Sequence, residues 1–317
     1  RPLIIQTAVR MTMSAPMFDL VGELPPLPEI EADALAACTT PQGAMPVMFQ
    51  WYLHVCRLAH QVACLPPLTP GSAPLDHIGS SVTRGLLNRC ARLMNSTMKL
   101  THDRECGETS RILARPIGES AIVLRWLCKQ DSSEALIRYV SSGLKAELKF
   151  KDQIKKEHQA RGGDLLVIEA RMLATIQRWI DDTGLTEEDI RLAKNLPDVA
   201  AMFSAVDHSR TEYVVHQCIG SHFIHGTWVD LLMNYLVKED DGQYRLKTRK
   251  ESLPDFSLLM VTAMLVLNAI EDFLSLWHAG PDLPDAILSH LDSIRQGVRC
   301  VGSRMQPEDF EVPDGTE

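Results

Sequence analysis

Apolar residues recur along most of the chain at the three- and four-residue spacing of amphipathic helices, without clean strand-like alternation beyond a few residues. Ile78, Val82 and Leu86, for example, share one face of a predicted helix. Serine, threonine and aspartate residues precede several such segments, as helix N-caps do. The predicted helices span about 46–64, 76–100, 109–129, 134–159, 164–182, a short helix from 186, 209–237, 254–278 and 283–301. We therefore expect an all-α fold, a single multi-helix bundle of about eight or nine helices.

The distribution of prolines divides the chain into three parts. Residues 1–45 contain six prolines and are predicted to form an irregular N-terminal arm, with a short helix near 30–37. Residues 46–304 form the helical bundle domain, and residues 305–317 form an acidic tail. Pro116 lies inside a predicted helix and should cause a kink or a late start there. Residues 238–252 are expected to form an exposed loop.

Bulk composition narrows the class of protein. Hydrophobic residues make up 45% and charged residues 23% of the 317 residues, which is ordinary for a globular domain. The formal net charge of -9 disfavours general binding to nucleic-acid duplexes, although local basic patches are compatible with it. The eight cysteines fall mostly inside helical patterns and are expected to be reduced thiols of a cytoplasmic protein. The longest apolar run, residues 256–267, is too short to span a bilayer, so no membrane association is predicted.

The helix 209–237 has the highest density of polar and titratable groups. Arg210 precedes His216 by six positions, and His225 follows further along the same helix. A histidine can move the proton of a ribose hydroxyl, and an arginine can stabilise a pentavalent phosphate, so Arg210 with His216 or His225 could cleave RNA without a metal. The alternative is a buried polar seam in which the histidines bond to other helices.

A second candidate is the pair Arg115 and Glu119, one helical turn apart among apolar residues. The pair is either a structural bridge between helices or the charged wall of a pocket. Five lysines in the helix 134–159 are interpreted instead as a solvated face with helical ion pairs. They are Lys145, Lys149, Lys151, Lys155 and Lys156.

No metal or cofactor site is predicted. Cys56, His60 and Cys64 repeat every four residues, but the ends of such a row are about 12 Å apart and cannot bind one ion, so core packing is favoured. No pair of Glu-x-x-His motifs, HExxH motif, Gly-rich phosphate loop or G-x-S-x-G motif occurs.

Several short motifs resemble an uncharacterised all-helical bacterial family, known only as a domain of unknown function. They are Arg115-Pro-Ile-Gly-Glu119, the segments 121–126 and 137–139, Tyr213, and Ser221-His-Phe-Ile-His225-Gly226-Thr227. The similarity spans roughly residues 75–280. The resemblance implies an all-helical fold and places Arg115, Glu119, Tyr213, Ser221 and His225 in one cluster. It implies no activity, and a link to HEPN-like ribonucleases is a further analogy.

Two functional hypotheses follow. The first is a HEPN-like, metal-independent ribonuclease acting as a toxin or defence effector, with a homodimeric site and RNA held by a basic patch. That patch would comprise Arg245, Lys247, Arg249 and Lys250. The second is a non-enzymatic helical module that binds a small ligand or a partner protein through a polar pocket in the bundle.

The free-energy cost of burying a charge predicts where the pair Arg115 and Glu119 lies. A charged group on a mostly apolar helix is tolerated only where it meets a partner. We therefore expect Arg115 and Glu119 to face the helix 209–237 across the bundle interior, with His225 in contact with one of them directly or through water.

Overall fold

The computed structural model describes residues 24–65, 77–101, 106–248, 254–279 and 285–304. Within these ranges the chain forms twelve α-helices, two π-helical turns and one antiparallel pair of short strands. The helices are α1 (Ala32–Ala36), α2 (Pro41–Cys64), α3 (His77–Thr101), α4 (Gly107–Gln130), α5 (Ser133–Ala160), α6 (Val167–Asp181), α7 (Glu187–Leu192), α8 (Val199–Ala205), α9 (Arg210–His225), α10 (Trp228–Asp230), α11 (Phe256–Leu274) and α12 (Asp285–Arg304). The all-α prediction is confirmed, and the helix count exceeds eight or nine because several helices are very short.

The helix α2 begins five residues before its predicted start. The Thr40 side chain accepts a hydrogen bond from the Gly43 N–H, 3.2 Å, and Pro41 occupies the first turn, where its missing N–H is not needed. Pro46 therefore lies inside α2 rather than at its beginning. Residues 1–23 of the predicted arm lie outside the described residues, as do residues 305–317 of the predicted tail.

The helix α4 runs through Pro116 without the predicted late start. Side chains bind the carbonyl oxygen of Pro116: Ser120 Oγ donates to it at 2.6 Å and Arg89 Nη1 at 3.1 Å. Through Arg89 these bonds tie α3 to α4 beside the proline.

The main core lies where α2, α3, α4 and α11 pack together, with α12 against α2 and α11. Among the described residues, the segment Phe256–Trp277 is long and apolar enough to cross a membrane, but most of it is buried in this core. A core helix of a globular protein meets the same criterion, so the segment is weak evidence for a membrane span.

A second, smaller apolar cluster holds α5, α6 and α7 together at the side of the bundle. At its centre Lys151 is buried, and its Nζ donates to Gln177 Oε1 at 2.7 Å and to Glu187 Oε1 at 2.6 Å. Lys145 likewise donates to Asn195 Oδ1 at 3.0 Å. The interpretation of the lysine-rich segment as a solvated face is therefore wrong for Lys151, which links α5 to α6 and α7, whereas half-buried Lys145 ties α5 to the segment after α7.

The predicted helix 209–237 is broken at Gly226. This residue ends α9 in the left-handed conformation, φ 56°, which glycine adopts without steric cost. The chain continues through α10 and a π-helical turn into β1 (Leu236–Lys238), which pairs with β2 (Tyr244–Leu246). The segment predicted as a loop after residue 237 therefore contains a short hairpin.

Candidate functional site

The helices α4 and α9 approach each other closely at two glycines. The ring of His216 lies against Gly118, where a β-carbon would stand only 2.2 Å from Nε2. The side chain of Arg115 lies against Gly220 in the same way, 2.7 Å from the position of a β-carbon. The absence of side chains at both positions allows the two helices to interlock.

Arg115 and Glu119 face α9, as predicted, but at the edge of the bundle rather than across its interior. Arg115 Nε donates to Glu119 Oε1 at 2.8 Å, and Gln217 Nε2 donates to the same oxygen at 3.0 Å. The side chains of Arg115 and Glu119 remain 24% and 31% exposed. This pair forms a solvent-edged bridge between α4 and α9.

The predicted contact of His225 with this pair is wrong. His225 is exposed at the last residue of α9, eight positions and about 12 Å of helix rise beyond Gln217, the residue that does reach Glu119. The reason lies in where the helices cross, because Gly118 and Gly220 fix the crossing one to two turns before His225.

The other predicted residues of α9 lie in different surroundings. Tyr213 is half-buried against Phe203, with ring centroids 5.6 Å apart, and exposed Arg210 stacks over its other side at 5.0 Å. Ser221 is half-buried. His216 is buried, and its Nε2 has no hydrogen-bond partner among the described residues. The structure therefore does not bring Arg210, His216 and His225 together in one open site.

A cavity of about 470 Å³ lies beside His216, between the α8–α9 turn and the first turns of α11. This volume is in the range of small-molecule sites. Its walls combine apolar side chains with a few convergent polar groups. They are Phe203, His208, Ser209, Thr211, Glu212, Val215, His216, Asp255, Ser257, Leu258, Val261 and Leu265.

A polar chain runs from the bundle interior to this cavity. Arg125 Nε donates to Asp272 Oδ2 at 2.7 Å, and Arg125 Nη1 lies 2.7 Å from His208 Nε2. An arginine can only donate, so Nε2 of His208 must accept and the ring proton must sit on Nδ1. Nδ1 faces Glu212 Oε1 at 3.4 Å. Both ring nitrogens of His208 are thus engaged, and the chain ends on the Glu212 carboxylate.

The turn between α8 and α9 positions His208. Asp207 adopts a left-handed conformation, φ 64°, and its carboxylate is paired with Lys129, which holds the pKa of Asp207 below its usual range. The His208 N–H then donates to the Phe203 carbonyl at 3.0 Å, and the two rings lie 5.5 Å apart. The strained backbone at Asp207 directs the histidine into the cavity wall.

Two carboxylates stand at the cavity. Glu212 accepts a hydrogen bond from the Ser209 backbone N–H at 2.6 Å, which lowers the pKa of Glu212 and keeps it charged. Its side chain is nevertheless 57% exposed. Asp255 accepts from the Leu258 N–H at 3.1 Å and lies 3.7 Å from Arg111 Nε, so its charge is partly balanced.

Burial lowers the pKa of His216, although the Arg115 backbone and the Glu119 carboxylate act in the opposite direction. At neutral pH this ring is therefore uncharged. Among the described residues, no group of three or more His, Cys, Asp or Glu side chains is arranged to hold a metal ion.

The basic patch proposed for RNA is only partly described. Lys247 Nζ donates to the carbonyls of Leu232 and Met233, and Arg245 lies 3.9 Å from Glu239. Arg249 and Lys250 lie outside the described residues.

Most of the groups that build the cavity could not be recognised in the sequence. His208 directly precedes Ser209, which was used only as a helix start, and Arg125 was noted only as part of a motif. The helix α8, which supplies Phe203, was not predicted. Its signal was Asp198, whose side chain caps the helix by accepting from the Ala201 N–H at 2.7 Å.

Comparison with known proteins agrees with the resemblance seen in the sequence. A model of a family of unknown function, DUF5677, matches residues 80–244. No curated protein and no solved structure matches the chain. The matched segment extends from α3 to β2 and includes both the α4–α9 crossing and the α8–α9 side of the cavity. Because the match covers more than half of the chain, this protein belongs to the DUF5677 family of unknown function.

Proposed function

We propose that this protein is a binding module whose cavity holds a small organic cation, a molecule with an apolar body and a protonated amine. The proposal is the small-ligand alternative of the sequence analysis, with the site moved from the Arg115–Glu119 pair to the cavity beside His216. The single observation that carries it is the exposed Glu212 carboxylate at an otherwise largely apolar cavity.

The apolar walls favour a ligand with a hydrophobic body. Phe203, Leu258 and Leu265 line the cavity, and their burial of a ligand would contribute about 25 cal/mol per Å² of apolar surface.

The charge balance favours a cation over an anion. Glu212 keeps its charge, whereas Asp255 is balanced by Arg111 and Arg125 is balanced by Asp272. The net charge at the cavity is therefore negative. An anionic ligand would have to approach Glu212 without a free cation among the described lining residues.

The surroundings of His208 and His216 favour binding over catalysis. A general base needs a ring nitrogen that can reach the substrate proton. In His208 one nitrogen faces Arg125 and the other faces Glu212. The His216 ring is packed against Gly118 with its Nε2 buried.

A matched ligand series tests the proposal. Tryptamine, tryptophol and indole-3-propionate share the indole body and differ in the charge of the side chain. We expect isothermal titration calorimetry to show that tryptamine binds most tightly and indole-3-propionate most weakly. Glu212→Gln keeps an acceptor for the Ser209 N–H but removes the charge, so it should abolish the preference for tryptamine. Equal binding of the three compounds, or an unchanged preference in Glu212→Gln, would contradict the proposal.

Adjacent valines of α9 supply a steric control. Val215 lines the cavity and Val214 does not, yet both are exposed enough to accept a larger side chain. Val215→Trp should weaken tryptamine binding by filling the cavity mouth, whereas Val214→Trp should leave it unchanged. The same effect of both variants would place the ligand elsewhere.

The ribonuclease hypothesis stays a prediction. Arg210 is exposed on Tyr213 while His216 is buried, and this separation is the reason for ranking it second. Incubation with RNA in EDTA tests it directly. Cleavage that His216→Ala or His225→Ala abolishes would favour the ribonuclease over the binding module.

A further inference from the structure

The helix α6 presents apolar side chains to solvent along a row that is separate from its buried face. The row consists of the apolar residues Ile168, Met172 and Trp179 with the half-buried Thr175 between them, and we call it the α6 stripe. Its spacing of four, three and four residues is the heptad spacing of a helix-packing seam. Ile168 is 54% exposed and Trp179 is 44% exposed.

The face of α6 that packs against α5 is a different one. Glu169, Ile176 and Ile180 are buried on that face, each one position after a residue of the stripe. One position corresponds to a rotation of about 100° around the helix axis. The helix α6 therefore has two apolar edges, and α5 and its neighbours cover only one of them in the described structure.

The residues that precede the helix extend the exposed apolar surface. Leu165, Leu166 and Val167 are all exposed, Val167 to 72%. Their backbone is held in place, because Glu169 accepts a hydrogen bond from the Leu166 N–H at 3.0 Å and is paired with Arg161. The surface is thus a fixed apolar ridge rather than a frayed helix end.

Two arginines flank the stripe on the side away from α5. Arg171 and Arg178 are seven residues apart, so they lie on one edge of the helix, and both are exposed. Neither side chain has a hydrogen bond or an ion pair with another described residue. In a chain with a net charge of -9, two unpaired cations beside an apolar stripe select for an acidic partner.

We propose that the α6 stripe docks an acidic amphipathic helix of another protein. The partner helix would bury its apolar seam on Ile168, Met172 and Trp179 and place carboxylates opposite Arg171 and Arg178. Flanking charges of this kind determine which helix pairs with which.

A second copy of this chain is the less suitable occupant. In an antiparallel pair of α6 helices, the arginine edge of one copy would meet the arginine edge of the other. In a parallel pair, the arginine edge would meet the edge that α5 already covers. Like charges opposed in this way weaken association.

Two coiled-coil peptides of several heptads serve as probes, with leucine at both apolar heptad positions and either glutamate or lysine at the flanking positions. We expect fluorescence anisotropy to detect binding of the glutamate peptide and not of the lysine peptide. Binding should weaken as the salt concentration rises, because the flanking pairs are exposed to solvent. Trp179→Gln should weaken it about tenfold or more, as loss of a large aromatic anchor does. Trp228→Gln, at an exposed tryptophan of α10, should leave it unchanged.

Charge reversal separates docking from misfolding. The variant Arg171→Glu/Arg178→Glu should lose the glutamate peptide and gain the lysine peptide, and a gain of binding cannot arise from a damaged fold. The proposal would be overturned if neither peptide binds or if both bind equally. It would also be overturned if the glutamate peptide still binds the charge-reversed variant. Two further outcomes would also overturn it: a dimer in analytical ultracentrifugation that Trp179→Gln dissociates, and Trp179-dependent binding to phosphatidylcholine–phosphatidylserine vesicles without peptide binding.

Discussion

The imidazole ring of His216 occupies the space that a side chain at Gly118 would need. Three ring atoms lie within 3.3 Å of the position of a β-carbon, and Nε2 lies at 2.2 Å. The contact joins α4 to α9, next to the point where Arg115 lies against Gly220. His216 also lines the cavity, together with Glu212 in the first turn of α9.

Substitution at this contact should be costly. Gly118→Ala should lower the free energy of unfolding by about 1–3 kcal/mol, because the buried ring of His216 cannot move aside without shifting a helix. Urea denaturation measures the change. Gly143→Ala in α5 is the matched control, since nothing lies within 4 Å of its β-carbon position. It should raise stability by about 0.5–1 kcal/mol. In a His216→Ala background the cost of Gly118→Ala should shrink, and an undiminished cost would mean that another contact is responsible.

Stability should fall in mild acid because of His54. Burial and the neighbouring His290, with ring centroids 5.6 Å away, lower the pKa of His54 from 6.5 to about 4. Between these values the unfolded chain takes up the proton more readily, so stability that is present above pH 6.5 is lost as the pH falls towards 4. The loss should reach about 3 kcal/mol. His54→Phe should flatten the dependence of the free energy of unfolding on pH, and an unchanged slope would rule His54 out as its source.

The tautomer of His208 is fixed by Arg125. Nitrogen-15 NMR should show the proton of His208 on Nδ1, since Nε2 accepts from Arg125 at 2.7 Å. Arg125→Lys keeps the charge but loses the guanidinium group, whose nitrogens reach both Asp272 and His208. A mixture of the two His208 tautomers should therefore appear. A proton on Nε2 in the unaltered protein would show that the polar chain to Glu212 is arranged differently.

Cysteine labelling should separate surface thiols from core thiols. Cys64 is exposed, whereas Cys56 and Cys90 are buried, and burial raises the pKa of their thiols to about 11 and about 12. At neutral pH the thiolate is therefore scarce at both core positions. Iodoacetamide followed by mass spectrometry should modify Cys64 first, and Cys56 and Cys90 only after denaturation. Rapid native labelling of Cys90 would indicate local opening of α3.

Much of the fold could be predicted from local signals. Apolar periodicity locates α2–α6, and the capping residues Thr186 and Ser209 mark the starts of α7 and α9. The sequence could not show that the helix ends at Gly226, because residues on both sides keep a helical pattern and a single glycine can be tolerated inside a helix. Only the structure shows that this glycine adopts a left-handed conformation.

The candidate site was harder to predict, because it depends on contacts distant in sequence. Burial cost correctly predicted that Arg115 and Glu119 face α9, but not that Gln217 rather than His225 reaches them. That outcome depends on where two helices cross, and glycine contacts set the crossing. His208 could not be recognised for the same reason, since its partner Arg125 lies 83 residues away.

Only one of the two walls of the cavity falls within the segment that matches the family model. His208, Glu212 and His216 fall within residues 80–244, whereas the wall formed by α11 begins at Phe256. His216 in the first wall is tied to the α4–α9 crossing, and its substitution disturbs the packing of the bundle. Substitutions at Ser257 and Val261, which are exposed at the cavity, change its shape without touching that crossing. If the proposed ligand binds in this cavity, substitutions in α11 can therefore change ligand preference while the α4–α9 crossing and the Glu212 carboxylate stay the same.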